Sequence, residues 1–209
     1  MEELARVKSP VMRYHGGKFR LAPWVMSFFP KHHTYVEPFA GAAGVLLQKP
    51  RSISEVYNDL DGEVVNVFRV LQQPDTAAAL ERLLALTPYA RDEFNLSYEP
   101  SECPVEQARR TLIRAHQGFG SAGATKHKTG FRIDSARAYG TSAHIWAKYP
   151  RCISQFVERL QAVVIENKPA LDVIDNHDRP DTLFFVDPPY VHSTRKMRAG
   201  GGVLQPRNE

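Results

Sequence analysis

Four short apolar runs, "TYVEPF" (34–39), "SEVYND" (54–59), "AVVIEN" (162–167) and "TLFFVDPPY" (182–190), do most to limit what this chain can fold into. Each ends in polar or turn-forming residues and reads as a buried strand. Strands apolar on both faces suit a parallel sheet, which needs a long connection from each strand to the next. After the first run, "AGAAGVLLQ" is expected to form a short helix opened by glycine. After the second, "DGEVVNVFRVLQ" places Val64, Val67, Phe68 and Leu71 at helical spacing, which buries one stripe. Strand, glycine turn, helix and strand make a βαβ unit and put the chain in the α/β class.

From about Asp75 the pattern changes. "TAAALERLLAL" and "VEQARRTLIRAH" read as helices with one apolar face, the second opened by Pro104, where the first helical turn tolerates a missing N–H. "QGFGSAGATKHKTGFR" then interrupts without periodicity and reads as an exposed, glycine-rich basic loop. Ile153, Phe156, Val157 and Leu160 form another helical stripe that returns the chain to the third run. Three segments follow from this: residues 1–74, an insert at 75–150, and residues 151–209.

The length of 209 residues suits one sizeable core with an insert, and an apolar content of 43% fits a soluble globular protein. No apolar stretch approaches the roughly 20 residues that span a bilayer, and the N-terminus lacks an apolar signal core, so a cytoplasmic protein with no membrane partner is expected. Cys103 and Cys152 have no ligand-like spacing and read as small core residues, with no metal site. The formal charge of +4 favours an acidic partner. Its distribution is uneven: Arg109, Arg110, Arg114, Lys126, Lys128, Arg132 and Arg137 crowd the middle of the chain, either as a solvated helix face and polar loop or as a polyanion contact.

In open α/β sheets ligands sit beyond the carboxyl ends of the strands. "VEPFAGAAG" puts Glu37, Pro38 and Phe39 at the first strand end, followed by Gly41 and Gly44, which permit a tight turn and close approach of a ligand. It has neither GxGxxG nor the GK[ST] of a P-loop, so no pyrophosphate site and no nicotinamide-dependent chemistry is read. "YNDLD" offers Asp59 at the second strand end, placed to accept hydrogen bonds from ribose hydroxyls. Each feature has a plainer alternative, since the glycines can serve a turn alone and Asp59 or Asp61 can cap the next helix. "VDPPY" is the stronger signal. The exocyclic amine of a base is a poor nucleophile because its lone pair is delocalised into the ring. Asp187 can accept one of its hydrogens, the carbonyl of Pro188 another, and the prolines fix that oxygen. Tyr190 offers an aromatic face for a base drawn out of its duplex.

With these residues in hand the chain resembles, from about Val11 to Lys196, the DNA adenine N6-methyltransferases related to the Dam enzyme, including phage-borne members. "RYHGGKFRLAPWV" (13–25) is similar to that family's N-terminal cofactor segment, "VEPFAGAAG" to its first-strand loop, "YNDLD" to its ribose-binding strand end, and "VDPPY" to its catalytic motif, in the family's order. The resemblance implies a Rossmann-like methyltransferase sheet with an inserted helical DNA-recognition subdomain. Residues 1–74 would then form the cofactor-binding half, 75–150 the target-recognition insert, and 151–209 the remainder carrying DPPY. The implied cofactor is S-adenosylmethionine, the implied substrate an adenine flipped out of double-stranded DNA. Catalytic roles fall to Asp187, Pro188, Pro189 and Tyr190, and cofactor contacts to Tyr14, Lys18, Glu37, Pro38, Phe39, Gly41, Asp59 and Asp187. Arg114, Lys126, Lys128 and Arg132 are the implied DNA contacts.

The sequence departs from that pattern in two places. Pro169, after the third strand, stands where phage members usually carry an acid. Only 19 residues follow Tyr190, too few for the strands that the family places after DPPY. The expectation is a chain truncated after the motif, its missing strands absent or supplied by a second polypeptide. Against an active DNA methyltransferase, of a restriction-modification or phage system, stand an inactive DNA-binding remnant and methylation of an amine in RNA or protein.

Overall fold

The computed structural model describes residues 7–120, 124, 128–133 and 140–189. The four apolar runs form four strands: β1 (Thr34–Glu37), β2 (Ser54–Asn58), β3 (Val163–Glu166) and β4 (Thr182–Phe184). All pair in parallel, in the order β3-β2-β1-β4, with Thr34 level with Ser54 on one side and Thr182 on the other. Alternation along the two central strands sorts the core into two faces. Tyr35 and Tyr57 join the larger cluster, while Val36 and Val56 meet Val173 and Phe184 on the other. β1 stops at Glu37 because Pro38 has no N–H to give the ladder.

The segment expected as a helix between β1 and β2 is instead a chain of turns over residues 41–48. Two causes are visible. Gly41 and Ala43 have φ of +49° and +52°, outside the right-handed helical region. The Leu46 N–H, which a helix would give to its own backbone, donates to Glu37 Oε1 at 2.6 Å. The next helix forms as expected. In α2 (Gly62–Gln72), Asp61 caps the N-terminus by accepting from the N–H of Glu63 and Val64, and Phe68 packs on Tyr57 with ring centroids 4.2 Å apart.

Helices α3 (Pro74–Leu86), α4 (Arg91–Leu96) and α5 (Pro104–Gln117) follow α2. Pro104 stands at the start of α5, as read from sequence, and α7 (Ile153–Leu160) carries the expected stripe. Residues from α3, α5 and α7 join the same buried cluster as Tyr35 and Tyr57, so these helices share the sheet's main core. Three other short helices carried no periodicity long enough to read: α1 (Ala22–Met26), α6 (Ser142–Lys148, capped by Thr141) and α8 (Ala170–His177). Among the described residues no helix is long and apolar enough to cross a membrane. Cys103 is not a core residue: it is exposed just before α5, and Cys152 is half-buried.

Behind the strands lies a buried ionic cluster that local sequence gave no reason to expect. Glu55 of β2 takes Arg159 of α7 at 2.6 Å and Lys49 at 2.7 Å, and Arg159 also donates to the Leu46 carbonyl at 2.6 Å. Burial raises the Glu55 pKa, but the hydrogen bonds and charges of Arg159 and Lys49 outweigh it and hold the acid below its ordinary value.

Candidate active site at the strand ends

The chain moves from β1 outward through β2 to β3, then returns across the sheet to β4. β1 and β4 are therefore sheet neighbours that the chain does not join directly: it leaves β1 towards β2 and reaches β4 only from β3 at the far edge, and ligands of open sheets sit beyond such a reversal of strand order. Beyond their carboxyl ends is a cavity of about 350 Å³, within the range of small-molecule sites. Tyr14, Lys18, Glu37, Pro38, Phe39, Gly41, Asp59, Asp187, Pro188 and Pro189 line it. Tyr190 and Lys126 lie outside the described residues.

Asp187 stands three residues past β4, and its Oδ2 accepts from Lys18 Nζ at 2.6 Å. Lys18 also donates to the Gly16 carbonyl at 2.8 Å, so the N-terminal turn aims the ammonium across the cavity at the acid. Gly16 has φ of +75°, a conformation few other residues adopt cheaply. The same turn lays Tyr14 against Gly41. A Cβ on Gly41 would lie 2.5 Å from the Tyr14 ring, and one on Gly44 would lie 2.6 Å from the backbone nitrogen of Phe19. The closest protein neighbours of these glycines thus belong to the N-terminal segment, and both glycines also line the cavity.

Asp59 is engaged but not exhausted. One carboxylate oxygen accepts from Gly41 N–H at 2.8 Å and the other from Asp61 N–H at 2.9 Å, which leaves lone pairs on both. Burial raises its pKa, with the N–H groups of Asp61, Gly41 and Leu60 acting the other way. Burial, with the nearby charges of Asp59 and Asp61, also raises the Tyr14 hydroxyl and keeps it neutral. Glu37 is fully buried and pushed up to about 7 by desolvation, despite accepting from the Tyr35 hydroxyl at 2.7 Å and from Leu46 N–H. It braces the turn that carries Gly41.

Among the lining residues not singled out from sequence, Asn58 and Lys168 are bonded to each other. Asn58 gave no signal because its partners, Pro38 and Lys168, are 20 and 110 residues away.

The basic residues of the middle segment do not share one environment. Arg114 is corrected as a DNA contact. Its side chain is 3% exposed, paired with Glu63 and donating to the Ser97 carbonyl at 2.6 Å, so it fastens α5 to α2 and α4. Arg132 donates to the carbonyls of Gly118 and Gly120, closing the neck of its loop, where Gly118 and Phe131 form an antiparallel bridge. Lys128 is exposed, its ammonium 5.9 Å from the centre of the Tyr98 ring.

The residues fit an adenosine-containing sulfonium ligand. Ring faces from Tyr14 and Phe39, the Asp59 carboxylate with free lone pairs, and Asp187 line one cavity. A family model described as D12 class N6 adenine-specific DNA methyltransferase matches residues 14–201. No curated protein matches the chain.

Proposed function

We propose how this chain, which belongs to the D12 class N6 adenine-specific DNA methyltransferases, methylates its target: the cavity between β1 and β4 holds S-adenosylmethionine, and an adenine extruded from duplex DNA meets it at Asp187. The observation that carries this reading is that Asp187 and the two prolines line one cavity with Tyr14, Gly41 and Asp59. When bound, S-adenosylmethionine supplies an electrophilic methyl group.

The chain's own residues do the rest. Asp187 accepts one hydrogen of the adenine amine and the Pro188 carbonyl the other, drawing the nitrogen's lone pair out of conjugation. Lys18, 2.6 Å from Asp187, holds that carboxylate by a charge-assisted hydrogen bond and fixes its direction. Asp59 accepts from ribose hydroxyls with the lone pairs left free by Gly41 and Asp61. Tyr14 and Phe39 give apolar faces to the cofactor, and Tyr190 stacks on the flipped base. Residues 75–150 act as the target-recognition unit, with Lys128 among the cations that meet phosphate.

The test is transfer of labelled methyl to unmethylated duplex DNA by the intact chain and by Asp187→Ala. Loss of a positioned acceptor is expected to cut the rate by at least about 100-fold. Equal incorporation by the two proteins removes Asp187 from the reaction.

A further inference from the structure

Beyond the last paired residues of the sheet, the regular ladder gives way to single backbone bonds and side-chain bonds. The β1–β2 register ends at Glu37 opposite Tyr57, and the β2–β3 register ends at Asn58 opposite Glu166. Past these points the chain leaving β1 runs straight into Pro38, which has no N–H to extend a ladder, and the chain leaving β3 turns its Lys168 N–H to a side chain instead of to backbone. Asn58 fills the gap with its side chain. Its Nδ2 donates to the Pro38 carbonyl at 2.9 Å and to the Lys168 carbonyl at 3.0 Å, and its Oδ1 accepts from Lys168 N–H at 2.9 Å. Its backbone carbonyl takes Ala40 N–H at 2.8 Å. The residue is 1% exposed, so these bonds do not compete with water. One amide thus ties the chain leaving β1, which carries Phe39 and Gly41, to the chain leaving β3, which carries Lys168 and Ala170, and all four of those residues line the cavity.

We propose that Asn58 is a positioning residue for the cofactor, clamping two walls of the cavity at one separation through bonds that only a side-chain amide can make there. The inference rests on the reading of this cavity as the cofactor site. An aspartate of the same size would keep the acceptor for Lys168 N–H but lose both donors and face two carbonyl oxygens. A serine would be too short to reach both sides.

The experiment measures S-adenosylhomocysteine binding by calorimetry for wild type, Asn58→Asp and Asn58→Ser, well below each protein's melting temperature. Losing two buried hydrogen bonds to the walls is expected to weaken binding by about tenfold or more, equivalent to about 1.4 kcal/mol. The cofactor KM is expected to rise in parallel, with kcat at saturating cofactor changing much less. Wild-type Kd in both variants, with only a lowered melting temperature, makes Asn58 a purely structural residue and overturns the proposal. No binding by the wild type overturns the cofactor reading itself, a separate failure. Hydrogen exchange on the wild type decides the matter if neither variant folds: the Lys168 amide is expected to be protected in the free protein, and exchange at the unprotected rate shows that the clamp is not formed.

Discussion

The cavity wall and helix α5 are both rich in charge in the sequence, yet the fold treats the two sets of charges in opposite ways. On α5, Arg109 is held by Glu106 and Glu93 at 2.7–2.8 Å, Arg110 by Glu106, and Arg114 by Glu63. These cations are neutralised within the helical layer and hold it together. At the strand ends Lys18 and Asp187 neutralise each other beside open volume, with side chains 23% and 31% exposed. A charge already matched inside the fold serves the fold, and one matched at the edge of a cavity remains available to a ligand. After the loss of methyl transfer expected for Asp187→Ala, the largest effect that separates the regions is on stability. Arg114→Ala removes a buried guanidinium that bonds Glu63 and the Ser97 carbonyl and should cost about 2 kcal/mol or more in urea unfolding, whereas Lys18→Ala should cost less than about 1 kcal/mol. Equal costs would erase the distinction.

The regions also differ in the sign of their response to pH. Burial pushes His116, at the end of α5, down to about 4, and pushes Glu37, at the cavity, up to about 7. A histidine with a lowered folded pKa contributes stability above its unfolded value of about 6.5, and that contribution is lost as pH falls towards 4. A carboxyl with a raised folded pKa contributes below its unfolded value of about 4.5, and that contribution is lost as pH rises through 7. Each shift is worth about 3 kcal/mol, and the two oppose each other between about pH 4.5 and 6.5. Glu37→Gln should therefore unmask a steep loss of stability on acidification from pH 6.5 to 4. His116→Gln should instead gain stability between pH 7 and 4.5. Both are read from melting temperature against pH, and slopes matching the wild type would break the assignment.

A smaller effect is expected at the contact between the N-terminal turn and the first-strand loop. Gly41→Ala places a methyl 2.5 Å from the Tyr14 ring at a φ of +49°, so it combines backbone strain with displacement of the ring. It should cost about 1–2 kcal/mol in stability and weaken S-adenosylhomocysteine binding. Unchanged binding would show that Tyr14 has no part in the cavity's recognition.

How far these contrasts were legible in sequence follows from how local their causes are. The four strands could be read because an apolar run bounded by turn residues is a local signal, and α2, α3, α5 and α7 because their stripes are. The residues 41–48 could not, because what prevents a helix there includes a carboxylate nine residues back that captures Leu46 N–H. In sequence Arg114 reads like Arg109 and Arg110, since its partner Glu63 is 51 residues away. The cavity-lining residues of the glycine and DPPY segments were readable as a set because each ends a strand, and a parallel sheet gathers its carboxyl ends at one edge. Asn58 escaped because a clamp between loops is a property of the assembled sheet.

The smallest expected effect tests the one described cation of the loop that the fold leaves exposed. Lys128 holds its ammonium 5.9 Å from the centre of the Tyr98 ring, while Arg132 in the same loop spends its guanidinium on the carbonyls of Gly118 and Gly120. If Lys128 meets a phosphate, Lys128→Ala should weaken duplex binding by a similar factor on every sequence and lower the slope of log Kd against log salt by about 1. Arg132→Ala should act differently, loosening the loop neck so that sequence preference shifts while the salt slope changes less. Identical salt slopes for wild type and Lys128→Ala would take this lysine off the DNA, and the contrast between spent and available charge would then not extend to the loop.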